Sequence, residues 1–236
     1  MKIKQITTPH SGKALLYFGG WGSTPESVGH LSLPDGTDYF AFYDYREVSP
    51  EELPPLERYE EIAVVGWSMG VWAISVLREY LPDRARLIAV CGTPYPMHDE
   101  WGIPDEIFRA TLTNLDEMNR ERFNRRMCGG RSLTALYNSF ASRSTEDLRE
   151  ELTSVFEHQS SRLAGIASRY APDKAPSPFH RAWIAEKDLI VPTPNQVRYW
   201  SHVGVDAKII EGVGHYPFLS FRSWNELIYP LADTNR

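Results

Sequence analysis

The pentapeptide Gly66-Trp67-Ser68-Met69-Gly70 constrains this chain more than any other feature. It lies between a short apolar, β-rich run, Ile62-Ala63-Val64-Val65, and a segment from Met69 to Tyr80. In that segment Val71, Ile74 and Leu77 suit a helix that Pro82 stops. Glycines on both sides of the serine permit a strained turn that lifts its hydroxyl above a sheet edge. The expected unit is strand, tight turn, helix, with Ser68 at the apex. A serine hydroxyl is a poor nucleophile at neutral pH, so the turn becomes chemistry only if a histidine takes its proton and a carboxylate orients that histidine.

Further strand-like runs occur at Met1 to Thr7, Ala14 to Phe18, Tyr39 to Tyr43, Leu87 to Cys91, Arg181 to Ala185 and Ala207 to Glu211. With Ile62 to Gly66 they make seven strands, separated mostly by helices or loops, as in a largely parallel sheet with covered faces. Between Thr93 and Pro178 the pattern turns helical and charged, ending in a proline-rich stretch from Pro172 to Pro178. The expected architecture is an α/β-hydrolase fold: residues 1–92 and 178–236 form the core, and 93–177 are an inserted helical lid. Helices packed plainly on a sheet face are the alternative. Between Tyr45 and Tyr59, proline and glutamate stand where such folds place a flanking helix, so a long loop is expected there.

A chain of 236 residues, 42% of them hydrophobic, can bury one substantial core. No apolar run approaches the roughly 20 residues of a membrane span, and the first residues lack the apolar stretch of a signal peptide. Cys91 and Cys128 have no metal-ligand spacing and read as ordinary thiols, which fits a reducing, cytoplasmic compartment. A net charge of −6 argues against nucleic acid or an anionic membrane as partner. A monomer is expected.

Seven histidines compete for the role of base. His215, in Gly212-Val213-Gly214-His215-Tyr216-Pro217, lies just past the last expected strand, where a glycine-rich loop can carry an imidazole over the sheet's carboxyl edge. His10, His30, His98, His158, His180 and His202 have no such setting. Asp188 follows the strand ending at Ala185 and opens a D-x-x-V-P pattern. A turn aspartate or helix cap is the bland reading of it, and Glu186 and Asp206 are rival acids. Ser68, Asp188 and His215 occur in the chain order this fold requires. A tetrahedral intermediate also needs backbone N–H donors. Met69 follows the serine, and Trp21 lies in the glycine-rich Phe18-Gly19-Gly20-Trp21-Gly22 after an early strand, so these two N–H groups are the oxyanion candidates. A phosphate cradle is the rival reading of those glycines, but no P-loop or dinucleotide pattern is present. No cofactor or metal is called for.

Taken together, Phe18 to Gly22, Phe42-Tyr43-Asp44-Tyr45-Arg46, Gly66 to Trp72, Gly92-Thr93-Pro94-Tyr95-Pro96, Phe123 to Gly129 and Gly214 to Phe218 resemble the BioG-type pimeloyl-acyl-carrier-protein methyl ester esterases of biotin synthesis. The resemblance spans nearly the whole chain. It implies a hydrolase core with a helical lid, and cleavage of the methyl ester that masks a pimeloyl chain on acyl carrier protein. It also implies triad roles for Ser68, Asp188 and His215, a place for Trp21 beside the ester, and substrate-lining roles around Phe123 and Met127. Gly19 stands where ordinary hydrolases carry the histidine of an H-G-x-G loop, a departure this family shares.

Residues 119–131 hold five arginines against one glutamate, a local charge of +4 in an acidic chain. Arg122, Arg125 and Arg126 are candidates to meet an acidic acyl carrier protein, since such a patch would speed and orient docking. On a helix Arg122 and Arg126 share one face while Phe123 and Met127 share its neighbour. An ordinary solvated helix face is the alternative. Two other functions compete: a general carboxylesterase or thioesterase using the same triad, and a ligand receptor on a hydrolase fold without turnover.

Overall fold

The structure, a computed structural model, describes residues 1–7, 11–140, 142–161 and 176–230. Part of the Pro172 to Pro178 stretch, and residues 231–236, therefore lie outside the described residues. The strands are β1 (Lys2–Ile6), β2 (Lys13–Phe18), β3 (Thr37–Tyr43), β4 (Glu61–Trp67), β5 (Arg86–Val90), β6 (Phe179–Ala185) and β7 (Ala207–Ile210). They form one seven-stranded sheet in the order β1-β3-β2-β4-β5-β6-β7. Only β1 runs antiparallel, at the edge beside β3. The expected strands agree with these to within one or two residues at most ends.

In the central strands nearly every side chain is buried, because both sheet faces are covered. Leu16, Phe18, Val64 and Ala89 face one core with α1 (Met69–Val76), and Leu15, Tyr17, Val65 and Val90 face a second core on the other side. Between β5 and β6 come α2 (Asp105–Thr113), α3 (Glu117–Cys128), α4 (Arg131–Asn138) and α5 (Thr145–Ser161). Past β6 lie α6 (Thr193–His202) and the short α7 (Trp224–Ile228). Residues 45–59 carry two 3-10 turns, Pro50–Glu52 and Leu56–Arg58, in place of a flanking α-helix.

The helix expected from Met69 to Tyr80 ends earlier, at Val76, and gives way to a 3-10 turn over Arg78–Tyr80. Pro82 forces Leu81 into extended geometry (φ −95°, ψ 132°), so the chain must leave the helix before the proline is reached. Burial of Leu77 and Leu81 fixes that exit.

α1 lies so close to β2 that a Cβ on Gly70 would stand 2.0 Å from the Phe18 carbonyl oxygen. No side-chain adjustment relieves a clash with backbone. Gly70→Ala should therefore lower the unfolding free energy by roughly 3 kcal/mol, the upper range for overpacking. Gly12→Ala, where a Cβ meets open space, should change it little. Urea midpoints of both variants check the contrast, and equal midpoints would refute the close approach.

Candidate active site

Ser68 sits between β4 and α1 with φ 55° and ψ −119°, a conformation that side-chain-bearing residues rarely adopt. Its N–H donates to the Val90 carbonyl (2.8 Å), and its own carbonyl accepts from Val71 N–H (3.0 Å), so the turn is held from both sides. The side chain stays half-exposed at the carboxyl ends of the strands. His215, buried to 1% exposure, follows β7. Its loop is anchored by Trp67 Nε1 donating to the His215 carbonyl (2.9 Å) and by Tyr216 N–H donating to the Met127 carbonyl (3.2 Å).

His215 Nε2 lies 2.8 Å from Ser68 Oγ, and His215 Nδ1 lies 2.8 Å from Asp188 Oδ2. A carboxylate can only accept, so Nδ1 carries the proton toward Asp188 and Nε2 is left to accept from the serine hydroxyl. The Asp188 carboxyl is buried. Its Oδ1 accepts from Ile190 N–H (2.9 Å) and Val191 N–H (3.0 Å). Those bonds account for the D-x-x-V-P pattern, and Asp188 serves its own turn while it also meets His215. The rival acids are engaged elsewhere: Glu186 accepts from Gly212 N–H (2.7 Å), and Asp206 pairs with Arg181 (2.8 Å).

Gln196, on α6 and without exposure, is a part of this site that sequence reasoning missed. Its amide donates to Asp188 Oδ2 (2.9 Å) and to the Val191 carbonyl (2.7 Å). A glutamine eight residues past an aspartate carries no motif. The contact arises because α6 folds back over the turn that Asp188 opens.

A cavity of about 40 Å³ opens onto Ser68 and His215, and Gly20, Trp21, Met69, Phe123 and Met127 help to line it. Ile107 and Phe108 of α2, Leu152 of α5 and Leu189 complete its apolar wall, and none of these stood out in sequence. Gly20 packs against the turn so closely that a Cβ there would meet Ser68 Cβ at 3.3 Å. Among the described residues neither the Trp21 nor the Met69 backbone N–H donates to a protein acceptor. A second cavity, about 450 Å³, shares Trp21 and Phe123 with the first and is lined also by Asn124, Tyr137 and Asn138. Between the two, Trp21 and Phe123 meet edge to face at 5.0 Å, while Trp21 Nε1 donates to the Leu148 carbonyl (2.9 Å).

α3 starts at Asp116, whose side chain accepts from Asn119 N–H, and stops at Gly129, which takes the left-handed conformation (φ 71°). Its faces divide as the spacing predicts: Arg122, Arg125 and Arg126 are exposed, Phe123 is half-buried and Met127 is buried. Arg126 reaches the rim of the smaller cavity. The charge is less free than the sequence suggests, since Arg125 pairs with Glu121 (3.5 Å) and Arg120 with Glu117 (3.7 Å). Burial raises the Cys91 thiol well above its ordinary range and pushes Cys128 up to about 11, so both stay protonated. Among the described residues no group of three or more His, Cys, Asp or Glu is placed to hold a metal ion, and no helix is long and apolar enough to cross a membrane.

The family model described as pimeloyl-ACP methyl esterase BioG matches residues 1–227. The crystal structure of BioG from Haemophilus influenzae superposes with a TM-score of 0.82 at 34% identity, covering 97% of this chain and 100% of that one. A malonyl-[acyl-carrier protein] O-methyltransferase of Bacteroides fragilis is 37% identical over 215 residues. That match takes in 88% of this chain but only 40% of the longer protein. A lipase-esterase related protein of Clostridium acetobutylicum shares the fold, with a TM-score of 0.59 at 15% identity over 92% of each chain.

The buried Asp188 carboxylate depends on Gln196 for one of its donors. Gln196→Leu removes that donor and should lower stability by about 1–3 kcal/mol. Gln196→Glu should do more, in a pH-dependent way, because two buried carboxylates cannot both ionise and the new group's folded pKa is raised. A raised folded pKa means stability is lost as pH rises above the unfolded value of about 4.3. Thermal melts of Gln196→Glu should thus be lower at pH 8 than at pH 5 relative to wild type. A pH-independent difference would count against the contact.

Proposed function

We propose, because the chain belongs to the pimeloyl-ACP methyl esterase BioG family, that it hydrolyses the methyl ester of a pimeloyl chain carried on acyl carrier protein. The observation that carries the reading is the line of two 2.8 Å contacts from Ser68 Oγ through the His215 ring to Asp188. In this proposal Ser68 Oγ attacks the ester carbonyl while His215 Nε2 takes its proton. The oxyanion is met by the N–H groups of Trp21 and Met69, which lack a protein acceptor among the described residues and belong to residues lining the same cavity as Ser68. The imidazolium, held by Asp188, returns the proton to methanol as it leaves. Water activated by the same His215 then cleaves the acyl-enzyme to release the pimeloyl carboxylate. The reaction balances with water alone, so no cofactor is required.

We assign residues 93–177 to the lid. Support comes from α2, α3 and α5, which send Ile107, Phe108, Phe123, Met127 and Leu152 to the wall around Ser68. The outward arginines of α3 suit an acidic carrier, and Arg126 at the cavity rim would be nearest the incoming arm. The Bacteroides fragilis relative, named for methylating an acyl-carrier-bound acid, contains a segment like this chain, which fits a methyl ester on a carrier as substrate. A general short-chain esterase is the second reading, favoured by one observation: a cavity of about 40 Å³ has room for only about three water-sized groups. On the first reading Phe123 moves aside to admit the chain.

Ser68→Ala should remain folded and lose about 10³-fold or more in kcat. A folded, active Ser68→Ala enzyme would sink the proposal. Arg122→Ala with Arg126→Ala should lower kcat/KM for the carrier-linked methyl ester while sparing free dimethyl pimelate. Wild-type turnover of the carrier substrate should also fall with added salt, since exposed charges are screened over about 8 Å at physiological ionic strength. Equal rates on carrier-linked and free esters, indifferent to salt, would favour the short-chain esterase instead.

A further inference from the structure

The Phe42 to Arg46 segment has no part in the chemistry above, yet its Asp44 and Tyr45 are among the most buried polar side chains described. Asp44 adopts φ 64° with 3% exposure, and Tyr45 is wholly buried. The Tyr45 hydroxyl donates to the Gly19 carbonyl (2.7 Å), and Gly19 begins the loop that carries Trp21. Tyr45 N–H donates to Oε1 of Glu151 (2.8 Å), a residue of α5 with no exposure. The other oxygen, Oε2, meets Arg143 Nη1 (2.5 Å) and accepts a long bond from Gly22 N–H (3.4 Å). Arg143 Nη2 reaches Asp44 (3.0 Å), and Asp44 is also paired with Arg46 (2.6 Å) and Lys2 (3.0 Å). Arg46 in turn contacts Glu150 (2.6 Å). Two segments distant in sequence thus converge on residues 19–22, the turn after β3 and α5, and Arg143 just before α5 ties the two together.

Burying Glu151 and Arg143 is costly, and an apolar pair of similar volume would often serve stability as well. The price in desolvation shows at Glu151, whose carboxyl burial pushes up against the opposing pull of Arg143. At Asp44 burial pushes the same way, but the hydrogen bonds of Arg46 and Lys2, with the Arg143 charge, outweigh it and hold the carboxyl down at about 2. What the network achieves is direction. Backbone N–H and C=O groups of one short loop are gripped at both ends, at Gly19 by Tyr45 and at Gly22 by Glu151, with Trp21 between them.

We propose that Tyr45 and Glu151, locked by Arg143 and Asp44, are positioning residues that aim the Trp21 N–H at the oxyanion. The network thereby makes the seating of α5 on the core a condition of a working oxyanion hole. This rests on the triad reading given above but not on the identity of the acyl group. Misaiming one donor should cost about tenfold in kcat, a fraction of the 10²–10³ lost when an oxyanion donor is removed outright. Ground-state binding would hardly change, because the N–H meets its partner fully only when charge develops on the oxygen.

The test uses a short p-nitrophenyl ester, which needs neither carrier nor lid patch. Tyr45→Phe removes only the hydroxyl and Glu151→Gln only the charge. Each should lower kcat about tenfold with KM within about twofold, and should weaken binding of a trifluoromethyl ketone, whose hemiketal oxyanion mimics the intermediate, by a similar factor. Measuring kcat well below the melting midpoint of each variant separates aim from stability, since a residual loss there is not a loss of folded protein. Unchanged kcat in folded Tyr45→Phe overturns the inference even if Glu151→Gln fails to fold. A wild-type protein without ester hydrolysis would overturn the proposed function first, so the two failures are distinguishable.

Discussion

Everything at the candidate site depends on one crowded place, where α1 leaves β4 through Ser68 and lies against the end of β2. The positive φ of Ser68 costs about 1–3 kcal/mol and persists because its neighbours over-determine it. Val90 accepts its N–H, Val71 donates to its carbonyl, and Gly70 lets the helix touch the Phe18 carbonyl. That contact sets the next element as well, since Phe18 leads straight into Gly19 to Gly22. The strained serine and the loop carrying Trp21 are therefore placed by the same backbone approach.

The second half of the site arrives along the carboxyl edge. β6 and β7 pair in parallel beside β5, so the loops that follow them open on the same side as the Ser68 turn. Asp188 is fastened to its own turn by Ile190 and Val191 and to α6 by Gln196, which leaves one lone-pair direction for His215. His215 is fastened from two sides, by Trp67 beside the serine and through Tyr216 by the end of α3. The helical segment is thus tied directly to the histidine loop at Met127. Through Leu148 and Glu151 it is tied equally to the glycine loop. Any tilt of α3 or α5 would be felt at both the histidine loop and the glycine loop, which is how the helices between β5 and β6 are coupled to groups held by the core.

Much of this was legible in the chain itself, because the strongest constraints are local. Gly66 to Gly70 flanked by an apolar run announces a strand–turn–helix unit, and the glycine-rich setting just past the last strand sets His215 apart from its six rivals. The apolar periods mark all seven strands. The spacing of Arg122, Phe123, Arg126 and Met127 divides α3 into an outer and an inner face. The end of α1 was misjudged, since burial of Leu77 and Leu81 and the backbone demand of Pro82 act ahead of the proline itself.

What the sequence by itself determined is therefore the fold, the elbow at Ser68 and the candidate partners Asp188 and His215, all carried by periodicity or by motifs a few residues long. Only the tertiary structure decided which side chains support them. Gln196 meets Asp188 because α6 doubles back, and Glu151 meets Tyr45 and Arg143 because α5 crosses the end of β3. The physical reason is common to all of these. A hydrogen bond or ion pair between residues far apart in sequence leaves no period and no spacing, and it exists only once packing has brought the two groups to within about 3 Å in a place from which water is excluded.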